Sequence, residues 1–344
     1  MSEPGFDSNL HSTRERGGEE KAWNDAIVGQ EEGVARLSGL LTSGRLPHAL
    51  LFSGPTGVGK ATTARALVAA LFCTRLGDAS NHPGSGCGHC RPCLKIAGEQ
   101  HPDWVQITLQ PDKTRIAVEQ IRDLRAFLTL TPLEARLKVA LIDDAALMNE
   151  AAANALLKTL EEPPPASSLI LCTSRPGILP PTIRSRCQQI RFFPLRPEAL
   201  RQVAQRKFPD LDADTLSTAV ELAAGSVGLL HRLCGGDLRE WHAHFLADME
   251  RLPHARLADL STLAAYWSDR ERFAFVQTFL MAWFQATIRS RLSRWQPGGA
   301  ESRILDLARQ SRETLAQVET FNLNRQMALE TVFIHLGRWL GASM

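Results

Sequence analysis

Residues 49–63, ALLFSGPTGVGKATT, decide the fold of this chain. An apolar run leads into the motif GPTGVGK and a helical pattern follows it, which is the setting of a phosphate-binding loop. In such a loop the glycines adopt backbone conformations that a side chain forbids, and backbone N–H groups and the lysine surround the phosphates. The stretch predicts a P-loop fold with Gly54, Gly57, Gly59 and Lys60 as nucleotide-binding residues.

Two neighbouring positions argue against ATP hydrolysis. Lys60 is followed by Ala61, where P-loop hydrolases carry a Ser or Thr hydroxyl for magnesium, and Thr62 points in another direction on the helix. A later apolar strand ends in Asp143, a magnesium carboxylate, but Asp144 stands where a longer glutamate usually orients water. The pattern allows a working hydrolase or a retained scaffold that no longer turns over, and we favour the scaffold. The residues leave ATP binding open.

A cluster of cysteines predicts a metal site. Cys87, Cys90 and Cys93 form a C-x₂-C-x₂-C run, and Cys73 lies fourteen positions before it. Four thiolates match the closed tetrahedral site of structural zinc, so we expect one Zn²⁺. An iron–sulfur cluster is the rival metal interpretation, His89 is an alternative ligand, and free thiols are the third interpretation.

The composition, with 44% hydrophobic and 22% charged residues among 344, is that of a globular protein of two or three domains. A formal charge of +2 excludes a chain that coats nucleic acid by bulk electrostatics. Residues 1–21 lack an apolar core and are predicted to be a disordered tail rather than a signal peptide. Without a run of about 18 apolar residues we expect no membrane span, and we predict a cytoplasmic location. The remaining cysteines are predicted to be buried thiols: Cys172, Cys187 and Cys234.

Strand-like and helical patterns alternate between about Trp23 and Pro194, which favours a parallel sheet covered by helices. The predicted strands are 49–53, 139–142, 169–173 and 189–192, and the predicted helices are 60–72, 118–129 and 149–162, with Asn149 as N-cap. Beyond Pro197 the pattern is helical: one stretch over 198–233, then helices from about 238 onward with a break near 297–299. The last helix carries an apolar stripe, for which we favour a place in the core: Leu329, Val332, Phe333, Leu336 and Leu340.

The order of these motifs carries a resemblance to a known family. With NALLKTLEEPP at 154–164 and LPPTIRSRC at 179–187, the chain resembles the bacterial clamp-loader ATPases of the AAA+ class, which include gamma/tau and delta-prime subunits. The resemblance is strong over about 23–228 and weaker as far as NLNRQ at 322–326. It implies a RecA-like α/β domain over 22–195 with a zinc-binding insertion at 73–93. A small helical lid over 196–236 and an all-α collar over 237–344 would follow.

Departures from the family pattern favour one kind of subunit. Ala61 and Asp144 depart from the ATPase pattern, and Gly228 stands after Gly225-Ser226, where a sensor arginine is expected. Their combination with a retained Ser-Arg-Cys triplet resembles the delta-prime kind, which has lost its own turnover. The alternative function is an active motor of the gamma/tau kind.

The resemblance also implies residue roles and partners. Arg186 would be an arginine finger that acts in trans on an adjacent gamma/tau subunit, and Thr173 falls at the sensor-1 position. Lys60 and Asp143 would be relics or would support nucleotide binding. For Arg186 the plainer alternative is a surface salt bridge. Gamma/tau and delta subunits would be direct partners in a hetero-oligomer, and the sliding clamp and primed DNA would be met through the complex. We read two arginine clusters as solvated helix faces rather than phosphate contacts: 115, 122 and 125, and 289, 291 and 294.

Overall fold

The structure is a computed structural model that describes residues 28–44, 46–75, 86–111, 113–235, 237–291, 300–321 and 323–341, without the side chains of 291, 300–302 and 319–321. The predicted tail 1–21 and the predicted break near 297–299 lie outside these residues. The chain divides into two units, Met1–Phe193 and Pro194–Met344.

The first unit is built on five parallel strands: β1 (Ala49–Ser53), β2 (Trp104–Ile107), β3 (Lys138–Ile142), β4 (Ser167–Thr173) and β5 (Gln188–Arg191). Their order across the sheet is β2-β3-β4-β1-β5. All four neighbouring pairs are parallel, which confirms the predicted sheet. Strand β2 was missed because Gln106 interrupts its apolar residues, and three of its four residues are only half-buried.

The central strands read as unbroken apolar runs because helices cover both faces of the sheet. Every residue of β1 and β3 is buried. One face is covered by α1 (Glu31–Ser43), α2 (Lys60–Phe72) and α3 (Arg91–Ala97), the other by α4 (Val118–Thr129) and α5 (Glu150–Glu161). Alternate residues of β1 point to opposite cores, with Leu50 and Phe52 on the first face and Leu51 on the second.

Local signals set the ends of the helices beside the site. Helix α2 starts directly after Gly59, and α5 starts after Asn149, whose side chain accepts a hydrogen bond from Ala152 N at 2.8 Å. This confirms the predicted N-cap. Helix α5 ends at Glu161, before prolines that cannot continue it. A single turn, α6 (Pro181–Arg184), then leads into β5.

The second unit contains no strand among its described residues. It contains α7 (Pro197–Lys207), α8 (Ala213–Ala223), α9 (Val227–Cys234), α10 (Leu238–Arg251), α11 (Leu257–Trp267), α12 (Arg270–Arg291), α13 (Ala300–Phe321) and α14 (Arg325–Gly341). The stretch 198–233, predicted as one segment, is therefore three helices. Asp212 caps the second by accepting from Thr215 N at 2.9 Å, and Gly225, with φ +86°, separates the second from the third.

Side chains of the second unit agree with the predicted core stripe. In α14, Leu329, Val332, Phe333 and Leu336 are buried, and Leu340 is half-buried. Cys234 corrects a prediction, because this last residue of α9 is half-buried rather than buried. Among the described helices of the whole chain, none has both the length and the apolar character that crossing a bilayer requires.

Candidate functional site

The phosphate loop joins the end of β1 to the start of α2. Gly57 and Gly59 have φ of +78° and +96°, which L side chains rarely adopt. Gly54 is required for another reason, since a Cβ there would lie 2.3 Å from the carbonyl oxygen of Phe192. The three predicted glycines are therefore demanded by the backbone, and the loop has the form of a phosphate cradle.

Lys60 is buried against its own loop. Its Nζ donates hydrogen bonds to the carbonyl oxygens of Gly54 at 2.7 Å and Pro55 at 2.6 Å. Burial lowers the pKa of Lys60, and the nearby Cys172, Asp144 and Asp143 oppose that shift. The lysine is placed for an outer phosphate, but a phosphate would have to displace two short hydrogen bonds.

The magnesium side of the site is incomplete. Ala61 offers no hydroxyl, Thr62 is exposed, and Thr63 is buried with no partner for its hydroxyl among the described residues. Asp143 follows β3, and burial raises its pKa. Asp144 adopts a left-handed backbone with φ +56°, and its buried Oδ1 has no hydrogen-bond partner among the described residues. The carboxylates suit a magnesium ion, but the hydroxyl ligand that should follow Lys60 is missing.

The order of the strands brings Thr173, the remaining predicted residue, to the carboxyl ends of the strands beside the phosphate loop. Strand β4 lies between β3 and β1, so Thr173 at its end is placed between Asp143 and the loop. Thr173 is fully buried, its carbonyl oxygen accepts from Gly54 N at 3.2 Å, and its hydroxyl accepts from Arg175 N at 3.1 Å. We call Gly54–Ala61, Asp143 and Thr173 the phosphate-loop edge; it is formed by the carboxyl ends of the strands.

Gln30 belongs to this edge, although the sequence analysis missed it. Its Nε2 donates to Phe193 O at 2.7 Å and to Val58 O at 3.4 Å, and its Oε1 accepts from Phe193 N at 3.2 Å. The side chain is 4% exposed. One amide thus ties the phosphate loop to the last residue of the first unit. A lone glutamine before a helix carries no pattern that would have revealed this contact.

The cysteine cluster is assembled as predicted. The Sγ atoms of Cys73, Cys87, Cys90 and Cys93 all lie within 4.8 Å of one another, and those of Cys73 and Cys90 are 3.9 Å apart. A tetrahedron with zinc–sulfur bonds of about 2.3 Å places its sulfurs about 3.8 Å apart, so the donor set fits one zinc ion. An iron–sulfur cluster needs its ligands further apart. His89 is exposed and outside the group.

Backbone groups orient the thiols. Cys73 Sγ accepts from Cys87 N at 3.5 Å, and Cys87 Sγ accepts from Cys90 N at 3.3 Å. Burial raises the pKa of Cys93, whereas for Cys90 the hydrogen bonds from Cys93 and Thr74 outweigh burial and lower the pKa to about 6. A Cβ at Gly86 would lie 2.6 Å from Cys93 Sγ, so the turn accepts only glycine there. The part of the insertion at 76–85 lies outside the described residues.

Arg186 lies two residues before β5, at the side of the sheet where the strands begin and opposite the side that carries the phosphate loop. Arg191, at the other end of that strand, pairs with Ser53, which precedes the phosphate loop. The four residues of β5 span about 13 Å, so Arg186 is separated from its own loop by the length of a strand. Its Nη2 lies 2.9 Å from Glu161 Oε1, its Nη1 donates to Thr182 O at 3.0 Å, and the side chain is 36% exposed. We call Glu161, Thr182 and Arg186 the Arg186 edge.

The remaining predicted positions are exposed. Gly228 is exposed in the first turn of α9, and Arg115, Arg122 and Arg125 are exposed in and before α4. Position 294 of the second arginine cluster lies outside the described residues. The structure brings the loop residues together and the four cysteines together, and it places Arg186 apart from both the loop and Thr173. Sequence reasoning missed Gln30 and Glu161.

A parallel sheet whose first strand runs into a glycine loop and a helix defines a P-loop protein. Comparisons with known proteins agree with this class. A family described as "DNA polymerase III, delta subunit" matches residues 29–196. DNA polymerase III subunit delta' of Pseudomonas aeruginosa is 37% identical over 248 residues, which are 72% of this chain and 71% of the relative.

Two further relatives are shorter matches. Subunit delta' of Escherichia coli is 35% identical over 201 residues, 58% of each chain. Subunit tau of Escherichia coli is 39% identical over 175 residues, which are 51% of this chain and 26% of the relative. The chain belongs to the DNA polymerase III subunit delta' family.

Proposed function

We propose that this chain is a largely non-hydrolysing assembly subunit of a clamp loader. It supplies Arg186 to the nucleotide of a neighbouring gamma/tau subunit while the sliding clamp is loaded onto primed DNA. The observation that carries the proposal is the place of Arg186: half-exposed, held by two contacts, and a strand length away from the chain's own phosphate loop. The relatives named subunit delta' and subunit tau support the setting.

The chemistry of a finger needs no turnover in the donor. A guanidinium is planar and permanently charged, so it stabilises the charge that develops on a γ-phosphate during transfer. Fingers of this kind raise rates by about 10³ to 10⁵ in comparable systems. Because Arg186 lies at the amino ends of the strands and phosphate loops lie at the carboxyl ends, a head-to-tail arrangement of subunits would bring the two together.

The chain's own site supports a non-hydrolysing subunit. ATP in the loop would meet backbone N–H groups and Lys60, which suit its phosphates. The hydroxyl that would help hold magnesium is missing at Ala61, and Asp144 is a methylene shorter than a glutamate. A motor of the gamma/tau kind requires both groups, so we prefer the assembly function.

We assign the remaining parts as follows. Zinc bound by the four cysteines is structural, because all four positions of a tetrahedral site are taken by protein sulfurs. Residues 196–236 form the lid and 237–344 the collar that joins this chain to gamma/tau and delta subunits. The absence of strands from the described part of the second unit is consistent with both assignments.

Replacing Arg186 in a reconstituted clamp loader tests the proposal. With Arg186→Ala we expect assembly to be nearly intact and ATP turnover at one neighbouring site to fall by about 10³ or more. Total turnover should fall partially, because other subunits supply other fingers. Arg186→Lys should rescue poorly, since a flexible point charge does not reproduce a planar fork.

Controls decide between explanations. Arg191→Ala removes an exposed arginine from the other end of β5 and should leave turnover unchanged. Unchanged turnover in Arg186→Ala would make this arginine a surface residue, and a loss that follows failed assembly would make it a structural contact. The isolated chain should hydrolyse ATP at background rate. Turnover at a normal AAA+ rate that Lys60→Ala abolishes would favour the motor.

A further inference from the structure

The Arg186 guanidinium is held at two points that leave most of its donors free. Nη1 donates to the Thr182 carbonyl at 3.0 Å, and Nη2 lies 2.9 Å from Glu161 Oε1. A guanidinium carries five N–H groups, so three remain after these two contacts. Three are enough for a bidentate contact with a phosphate. Arg186 can therefore meet an anion without releasing Glu161.

Both anchors belong to elements that are fixed in the core. Glu161 is the last residue of α5, whose Leu156 and Leu160 are 0% and 3% exposed. Thr182 lies in α6, where Ile183 is fully buried. Because an arginine side chain is rich in rotamers, two fixed anchors reduce the number of positions that the guanidinium visits.

Glu161 is the last residue of α5, a position that favours an interaction outside the helix. The carboxyl end of a helix carries partial negative charge, so an acidic side chain there is locally unfavourable. Such a local mismatch points to a compensating role elsewhere. For Glu161 the contact that compensates is Arg186, whereas the neighbouring Glu162 is exposed and has no such ion pair with any residue that the structure describes.

The strength of the contact decides what it can do. An exposed pair of this kind shifts an equilibrium by a factor of about two to five. This is too little to lock the arginine away from a phosphate, and enough to bias its rotamers. We propose that Glu161 is a positioning residue that holds Arg186 ready for a neighbouring subunit's nucleotide, an inference that rests on the proposed function.

The test uses the clamp loader reconstituted with gamma/tau and delta subunits, the clamp and primed DNA. Glu161→Gln should lower ATP turnover at the one site that Arg186 serves about two- to fivefold and leave KM unchanged, so total turnover should fall by less than in Arg186→Ala. Glu162→Gln is the matched control, because it removes an adjacent exposed carboxylate, and it should behave as wild type. In an Arg186→Ala background, Glu161→Gln should have no further effect, since its action passes through the arginine.

Each outcome separates this inference from the proposed function. If Arg186→Ala leaves turnover unchanged, the proposed function fails. If Arg186→Ala lowers turnover but Glu161→Gln matches Glu162→Gln, only the positioning inference fails. Faster turnover in Glu161→Gln would mean that the carboxylate restrains the arginine. A loss that persists in the Arg186→Ala background would mean that Glu161 acts through structure or assembly.

Discussion

The phosphate-loop edge and the Arg186 edge each carry a cationic side chain, but the two differ in burial and in hydrogen bonding. At the phosphate-loop edge, Lys60 is buried and donates two short hydrogen bonds to its own loop. At the Arg186 edge, the guanidinium is 36% exposed and keeps three donors free. The donors of Lys60 are bonded within the chain, whereas Arg186 has donors and exposed surface available for contact with another molecule.

The Arg186 edge also carries a second, very different ion pair. Asp103 precedes β2 and Lys138 begins β3, at the same amino ends of the strands. Their side chains are 0% and 2% exposed, and Lys138 Nζ lies 3.0 Å from Asp103 Oδ1. The carboxylate also accepts from the backbone N–H groups of 133, 134 and 135 at 2.7 to 2.8 Å. Burial distinguishes the two pairs: Asp103 and Lys138 are enclosed in the fold, whereas Glu161 and Arg186 are partly exposed to solvent.

Zinc removal should have the largest effect and should be confined to the helices next to the four cysteines. We expect reduced, never-chelated protein to carry about one metal per chain, because structural zinc contributes about 10–16 kcal/mol in zinc-finger peptides. Cys73 ends the helix that starts at the phosphate loop, so chelation should raise hydrogen exchange in α2 and α3 and spare α6 and β5.

Single cysteine variants sharpen this result. Cys90→Ser should lose the metal and lower the melting temperature, whereas Cys234→Ser, which removes a half-buried thiol outside the cluster, should keep both. Metal analysis that finds none in the wild-type protein would refute the zinc site.

Breaking the buried pair should be the next largest effect. Asp103→Ala leaves Lys138 buried without its charge partner and orphans three backbone donors, so we expect a loss of about 3–5 kcal/mol in the free energy of unfolding. Glu161→Ala, at the exposed pair of the same edge, should cost less than about 1 kcal/mol. Urea denaturation of both variants measures the difference. Equal losses would mean that the buried pair and the exposed pair contribute equally to stability.

Gln30→Leu should have an intermediate effect at the phosphate-loop edge. The change leaves Val58 O and both backbone groups of Phe193 without their amide partner, which should cost about 1–3 kcal/mol. Gln100→Leu, at an exposed position, is the control and should be neutral. Thermal unfolding measures both, and a neutral Gln30→Leu would show that water replaces the amide.

Acid should give an effect no larger than that of Gln30→Leu, and part of it should act through Asp103. Burial opposes its ionisation, but hydrogen bonds from the backbone of Ala135, Glu134 and Leu133 outweigh it and lower the pKa from 3.8 to about 2. Because the folded pKa lies below the unfolded one, this stabilisation is complete above about pH 4 and is lost as pH falls towards 2. Stability measured from pH 5 to 2 should fall less steeply in Asp103→Asn than in wild type. An identical slope would exclude Asp103 as the cause.

The sequence predicted the features that rest on local pattern. The loop glycines, the strands β1, β3, β4 and β5, the Asn149 cap and the cysteine group each have a signature in spacing or residue type. Strand β2 was missed because Gln106 interrupts its apolar residues, and the three helices of 198–233 were merged because short helices share one periodicity. Glu161 lay inside a quoted motif, yet nothing in that motif says which charged residue it meets.

By itself the sequence determined the class of fold and the chemistry of its parts, because glycine, cysteine and apolar positions act through the backbone and the nearest turn of chain. Only the tertiary structure decided which parts share an edge. Strand order placed Thr173 beside Gly54 and put Arg186 a strand length away from them. It also joined Gln30 to Phe193 across 163 positions of chain. Contacts at such separation depend on how the elements pack together, and the period of one element does not say which residue of another it meets.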